Sequence, residues 1–220
     1  MASPTTTTSE SGPRRRDARR NREAFLASAR KAFAEHGADA SLERIARDAG
    51  LAIGTLYRHF PHRLDLLIAA LEPQLNDFFE RAEAATRHDP RRGFRTFLTD
   101  LCELQASDRG FSDFVCRRFP ASPITEPIHD RICGLASIVL ERAQDSGAVR
   151  SDVTNGDVMS LLWANSRIIE ATDEAAPTAW RRHLRLLLDG FNAPATSDLV
   201  DPPLTEAQLY AAMARLSTIN

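Results

Sequence analysis

The sequence predicts an all-α chain, on three observations. Apolar residues recur at helical spacing through most of its length. No segment alternates as a strand does. Breaks fall between the periodic stretches, at Asp89-Pro90, Pro120 to Pro123, Ser146-Gly147 and Ala176-Pro177. About nine main helices fit, with a tenth marginal one.

The first helix is expected over Asp17 to His36, with Phe25, Leu26, Ala29, Ala32 and Phe33 on one stripe and Gly37 as its stop. Leu42 to Ala49 forms a short second helix, with Ser41 as its N-cap and Leu42, Ile45, Ala46 and Ala49 facing inward. Gly50 breaks it. A third short helix fits Ile53 to Phe60, and Pro61 ends it. Two short helices joined by a tight glycine turn have the shape of a helix-turn-helix. The remaining helices are expected over Arg63 to Arg87, Arg91 to Ala106, Gly110 to Arg118, Glu126 to Ser146, Asn155 to Thr172 and Pro177 to Phe191, with the marginal one over Thr205 to Leu216. Four regions follow: a disordered basic arm (1–16), a helix-turn-helix domain (17–62), a larger helical domain (63–194), and a linker with a C-terminal tail (195–220).

The bulk numbers narrow the function. The 220 residues are 43% hydrophobic and 26% charged, with net charge −2, as in a soluble globular protein. No apolar run reaches the ~18 residues of a membrane span, and no apolar stretch follows the N-terminal arginines as a secretory signal requires. Cys102, Cys116 and Cys133 show no disulfide or metal spacing, so a cytoplasmic protein with reduced thiols is expected. The charge is uneven. Residues 1–60 hold 11 Lys+Arg against 7 Asp+Glu, whereas residues 61–220 hold 17 against 23. A basic N-terminal quarter on an acidic body points to a polyanion partner at one end.

The stretch from Ser41 to Phe60 carries the chemistry. Ala46 and Ala49 let two short helices cross closely, and Leu51, Leu56 and Phe60 pack inward. Ile53, Gly54, Thr55, Tyr57, Arg58 and His59 are left for the other faces of the third helix. Thr, Tyr and His offer neutral hydrogen bonds to phosphate, and Gly54 permits close approach to a backbone. Alone, Tyr57 and Phe60 would read as core aromatics and His59 as a surface residue.

This segment resembles the DNA-binding domain of the TetR family of transcriptional regulators. The matching residues are Phe33-Ala34, Gly37, Ile45-Ala46, Ala49-Gly50, Gly54-Thr55-Leu56-Tyr57, His59-Phe60 and Leu66. A weaker likeness joins Gly147 to Thr154, with Asp157-Val158, to a turn before that family's eighth helix. The resemblance implies that Ser41 caps the second helix near a phosphate. It implies that Thr55, Tyr57 and His59 contact backbone or base edges, and that Arg63, where the family usually has lysine, holds a phosphate. Ala52 departs from the usual serine-type cap, a loss of ~1 kcal/mol. Ile53 touches a thymine methyl or sits at the groove edge. The expected DNA-contact set is therefore Ser41, Ala52, Ile53, Gly54, Thr55, Tyr57, Arg58, His59 and Arg63. Arg14, Arg15, Arg16, Arg19 and Arg20 form either a DNA-binding arm or a solvated tail.

In the larger domain the resemblance implies a small-molecule effector and a homodimer on a near-palindromic duplex operator, usually acting as a repressor. Candidate pocket residues are Cys102, Phe111, Phe114, Trp163, Asn165, Arg167 and Glu170, with plain core packing as the other reading. Candidate interface residues are Leu161, Ile168, Trp180, Leu184, Leu187, Leu188 and Phe191, with packing inside one subunit as the alternative. Two other functions stay open: a DNA-binding regulator without an effector, and a helical protein-interaction adaptor. An enzyme is not expected, since the chain has no HExxH, phosphate loop or GxSxG, and its six histidines are scattered. No cofactor or metal is expected. Glu126, His129 and Asp130 read as a charged helix start rather than as ligands.

Overall fold

The computed structural model describes residues 11–117, 119, 123–194 and 197–216. Among these residues lie ten helices and, outside them, one isolated bridge between Val149 and Asn192. Three helices form a head: α1 (Ser11–His36), α2 (Leu42–Asp48) and α3 (Ile53–His59). A long α4 (Arg63–Ala85) leads into a body made of α5 (Pro90–Ser107), α6 (Arg109–Cys116), α7 (Glu126–Asp145), α8 (Asn155–Thr172) and α9 (Ala179–Gly190). A last helix, α10 (Glu206–Leu216), follows.

The start of α1 corrects the expectation of a disordered arm through residue 16. Residues 1–10 and 217–220 lie outside the described residues, but 11–16, with Arg14, Arg15 and Arg16, belong to the first turns of α1. Pro13 is tolerated there because first-turn N–H groups have no helical partner. Beyond it nothing breaks the helix, and exposed pairs support it: Arg20 with Asp17 at 3.4 Å, and Arg19 with Glu23 at 3.6 Å. Arg19 and Arg20 are thus turned toward helix neighbours.

Local chemistry sets the other ends. The Ser41 Oγ accepts from the Arg44 N–H at 3.1 Å and caps α2. At the far end the Gly50 N–H reaches the Arg47 carbonyl (2.9 Å) and the Leu51 N–H reaches Ala46 (3.0 Å). That double closure needs the left-handed φ of +69° at Gly50, which suits glycine. Asp89 and Asp108 cap α5 and α6 by accepting from the N–H groups of Arg92 (3.2 Å) and Phe111 (2.9 Å).

One core runs through head and body. Phe25, Phe33, Ile45 and Leu56 from the head share one buried cluster with Leu66, Leu71 and Phe78 of α4 and with Phe97, Phe111 and Leu188 of the body. The Phe78 ring lies 5.7 Å from Phe97 and 6.4 Å from Phe111 in tilted pairs. α4 therefore belongs to both parts.

A polar joint adds to this core. Gly37 turns the chain out of α1 with φ +74°, and the following Ala38 N–H donates to Asp113 of α6 at 2.8 Å. Arg117, the C-cap of α6, pairs with Asp39 at 2.7 Å and with Asp113 at 3.1 Å. Arg109 bridges the Glu35 carbonyl (3.3 Å) and Asp173 at the end of α8 (2.9 Å). The loop between α1 and α2 is thus gripped by a helix of the body. Among the described residues no helix is long and apolar enough to cross a membrane.

Candidate nucleic-acid interface

Seven residues make α3, and only Leu56 of them is buried. Leu56 and Phe60 anchor it to the head core. Its remaining positions divide. Ala52, Gly54, Tyr57 and Arg58 are exposed, with Tyr57 at 46%. Nothing lies within 4 Å of where a Gly54 side chain would begin, so that backbone is open to a partner. Thr55 is half-buried, and its hydroxyl accepts from Arg58 at 2.9 Å. His59 is half-buried between Phe25 (6.0 Å) and Phe60 (6.4 Å), so its ring also braces the helix. Ile53 is half-buried against the core, at the edge of the surface. Ala52 offers no side-chain cap, and the helix starts on backbone bonds from the Thr55 and Leu56 N–H groups to the Ala52 carbonyl.

Two expected contacts are redirected. The Arg63 guanidinium turns back into the head and donates to the carbonyls of Ala38 (3.1 Å) and Ala40. It satisfies two loop carbonyls rather than standing free for a phosphate. The Ser41 hydroxyl caps α2 and donates to the Glu43 carboxylate at 3.0 Å. The carboxyl of Glu43 is held below its usual range, first by its own backbone N–H and then by Ser41. Sequence reasoning missed Glu43, although its place in the first turn of a helix was the signal. Arg47 on α2 and Arg58 on α3 are exposed cations of the same head, Arg58 next to Tyr57 in α3.

The body treats its candidates differently. Cys102, Phe111 and Phe114 are fully buried packing. Burial pushes the Cys102 and Cys116 thiols up to about 12, so both are protonated at neutral pH. Arg167 and Glu170 face solvent and pair with each other, which removes them from any interior pocket. A helix carries a polar pair outward as readily as inward, and only its packing partners decide which. Trp163 donates its indole N–H to the Cys116 carbonyl at 3.1 Å. Asn165 is completely buried and donates to the Gln105 side-chain oxygen at 3.1 Å. Gln105 in turn donates to the Leu162 carbonyl at 3.2 Å and lies 3.3 Å from the Cys116 sulfur. The Asn165 Oδ1 is buried without a partner. Gln105 was not foreseen; its signal was a lone amide on an apolar helix face.

The interface candidates also divide. Leu161, Trp180, Leu184 and Leu188 are buried within their own protomer, and the Phe191 ring meets Phe94 at 6.1 Å. Leu161, Trp180, Leu184 and Leu188 thus pack α9 with α8 and α5 inside the protomer, which corrects the reading of these four as interface residues, while Phe191 is half-buried. Ile168 and Leu187 are half-buried, and Leu186 is exposed at 61%.

A head of three helices with a short, solvent-facing third helix, set on a larger helical body, defines a helix-turn-helix DNA-binding regulator. Residues 25–70 match the model of bacterial regulatory proteins of the tetR family. Residues 89–193 match the C-terminal domain of SbtR-like transcriptional regulators. The chain belongs to the TetR family of transcriptional regulators, and is not an enzyme. An HTH-type transcriptional regulator of Staphylococcus aureus (strain bovine RF122 / ET3-1) is 42% identical over 65 residues, 29% of this chain and 35% of that protein. The likeness to this relative thus spans about a third of its length. The fold is similar to the TetR regulator SCO0520 from Streptomyces coelicolor, with 27% identity and TM-score 0.51 over 79% of this chain and 99% of that one. It is also similar to FadR from Bacillus subtilis in complex with stearoyl-CoA, with 20% identity and TM-score 0.55 over 76% and 98% of the two chains.

Proposed function

We propose that the protein is a cytoplasmic homodimeric repressor that holds a near-palindromic operator and leaves it when a small molecule binds the body. The observation that carries this reading is α3 itself. A seven-residue helix with one buried side chain exposes Gly54, Tyr57 and Arg58 on a rigid mount. Phosphate and base contacts need such a surface, whereas internal packing would have covered it. Two copies related by a twofold axis present two such helices, so half-sites lie one turn, ~34–36 Å, or a multiple apart. The open sides of α8 and α9, with Ile168, Leu186 and Leu187, are the proposed pairing face.

The effector reading is supported by the stearoyl-CoA bound to the FadR structure and by the interior polar chain from Gln105 to Asn165. An unpartnered amide oxygen in an apolar wall is an orienting point for a ligand donor. An effector that prefers the DNA-incompetent conformation lowers operator affinity by the same coupling, typically ~1–3 kcal/mol.

The test is binding to duplex DNA from the protein's own promoter region at several salt concentrations, beside a Tyr57→Ala/Arg58→Ala variant. Arg63 is left intact because it holds the α1–α2 loop. Salt-sensitive, sequence-specific binding that the variant loses supports the reading, and loss of one phosphate contact lowers the salt slope by about 1. Binding no better than to random duplex, with no site recovered by genomic selection, overturns it in favour of an adaptor.

A further inference from the structure

Between head and body lies a groove of about 610 Å³, walled by α1, the end of α3, α4 and α7. Its size falls within the ~300–1,000 Å³ of small-molecule sites. It touches none of the body residues discussed above as pocket candidates. α4 supplies the floor: Ile68, Leu75 and Phe79 are buried, and Ile128 of α7 faces them half-buried. Positions 68, 72, 75 and 79 follow helical spacing, so Glu72 shares this face and sits between the apolar residues.

Among the ionised residues of the groove, Arg131 is neutralised by Glu83, while Arg22, Asp65 and Glu72 have no ion pair among the described residues, which leaves the lining net negative. Arg131 pairs with Glu83 and lies 4.0 Å over the Phe79 ring. Arg22 lies 5.3 Å over the Phe60 ring. Asp65 accepts from the His62 N–H at 3.0 Å. Of the acids and arginines lining the groove, Glu72 has neither a hydrogen bond, an ion pair nor a cation–π contact among the described residues. A carboxylate without a partner above an apolar floor is complementary to a positive charge carried on an apolar body.

We propose that this groove binds an amphipathic organic monocation. The apolar or aromatic body lies on Ile68, Leu75 and Phe79, and the cationic centre meets Glu72. Arg22, which has no ion pair among the described residues, disfavours a second positive centre, which sets a monocation apart from a polyamine. An anion of the same shape would face Glu72 with like charge, while Arg131 is already held by Glu83.

The site does not depend on the repressor reading, and its test contains no DNA. The full chain is titrated calorimetrically with tetraphenylphosphonium and, separately, with tetraphenylborate, an anion of nearly the same shape. The expected result is saturable binding of the phosphonium, weakened about tenfold by Glu72→Gln, and weaker binding of the borate. Glu72 is exposed, so the substitution leaves the fold intact, which circular dichroism verifies. A second variant, Ile128→Trp, fills the groove and weakens the phosphonium while retaining Glu72. No phosphonium binding up to about 1 mM, equal or tighter borate binding, or phosphonium binding indifferent to both variants each overturns the proposal.

Discussion

Helices α3 and α6 are nearly the same length, seven and eight residues, and live in opposite ways. α3 buries Leu56 alone and starts without a side-chain cap. α6 buries Gly110, Phe111, Ser112, Phe114, Val115 and Cys116, and starts on the Asp108 carboxylate. Neither length would hold a helix in water by itself. The body keeps α6 helical by packing around it, whereas α3 is held from one side and keeps the other free. Both helices draw their stability from their neighbours, but the structural helix commits most of its side chains to that packing and the reading helix commits one.

The largest break in this contrast comes from Phe111→Ala. Removing a fully buried ring from α6 is expected to cost ~3–5 kcal/mol, read as a lower urea midpoint, while Tyr57→Ala on α3 stays within about 0.5 kcal/mol of the parent. Equal losses in the two variants would erase the distinction. Next is the joint between the regions. An alanine Cβ at Gly37 would begin 2.4 Å from the Asp113 carboxylate oxygen, at a backbone with φ +74°. Gly37→Ala is expected to cost ~1–3 kcal/mol for the left-handed backbone, and to expose the amides of residues 38–40 to hydrogen exchange.

A smaller change runs in the favourable direction. Ala52→Ser gives α3 the cap it lacks and is expected to add ~1 kcal/mol, or a rise of roughly 2–4 °C in Tm for a chain of this size. No rise would mean that the neighbours, rather than the cap, limit α3. The smallest effect concerns Asp108. Burial pushes its carboxyl above the usual range, against the pull of the Phe111 N–H and the Gln74 amide. A raised carboxylate pKa means that ionisation works against the fold. That contribution favours the fold below the unfolded carboxylate range and is lost as pH rises through the raised folded value. Asp108→Asn keeps a good cap and can turn an N–H toward the buried, unpartnered Gln74 Oε1. It is expected to be as stable as the parent or up to about 1 kcal/mol more stable at neutral pH. Denaturation at a series of pH values should show that margin closing as pH falls into the carboxylate range. A margin that widened on acidification would reverse the assignment.

The head was legible because its rules are local. Ser41 caps α2, Gly50 takes the left-handed turn, and Leu56 and Phe60 face inward, each following from residue type and spacing within a few positions of the chain. The helical nature of the body was legible for the same reason, since periodicity of apolar residues is a property of the segment itself. The extent of α1 was missed because a run of arginines was read as charge, although arginine forms helices well.

Destinations of side chains were a different matter. Arg63 turning to the loop carbonyls, Arg167 and Glu170 facing solvent, and Trp180, Leu184 and Leu188 filling their own protomer all depend on which distant element lies opposite. The groove around Glu72 is formed by α1, α4 and α7, brought together across more than 100 residues. What the sequence by itself determined was the helices, their caps and turns, and the residue types offered at the reading surface, because those are set by backbone preference and periodicity within a turn or two. What only the tertiary structure decided was which of those residues remain free to meet a partner. Freedom is the residue left after long-range packing and hydrogen bonding have claimed their share, and no local pattern records that claim.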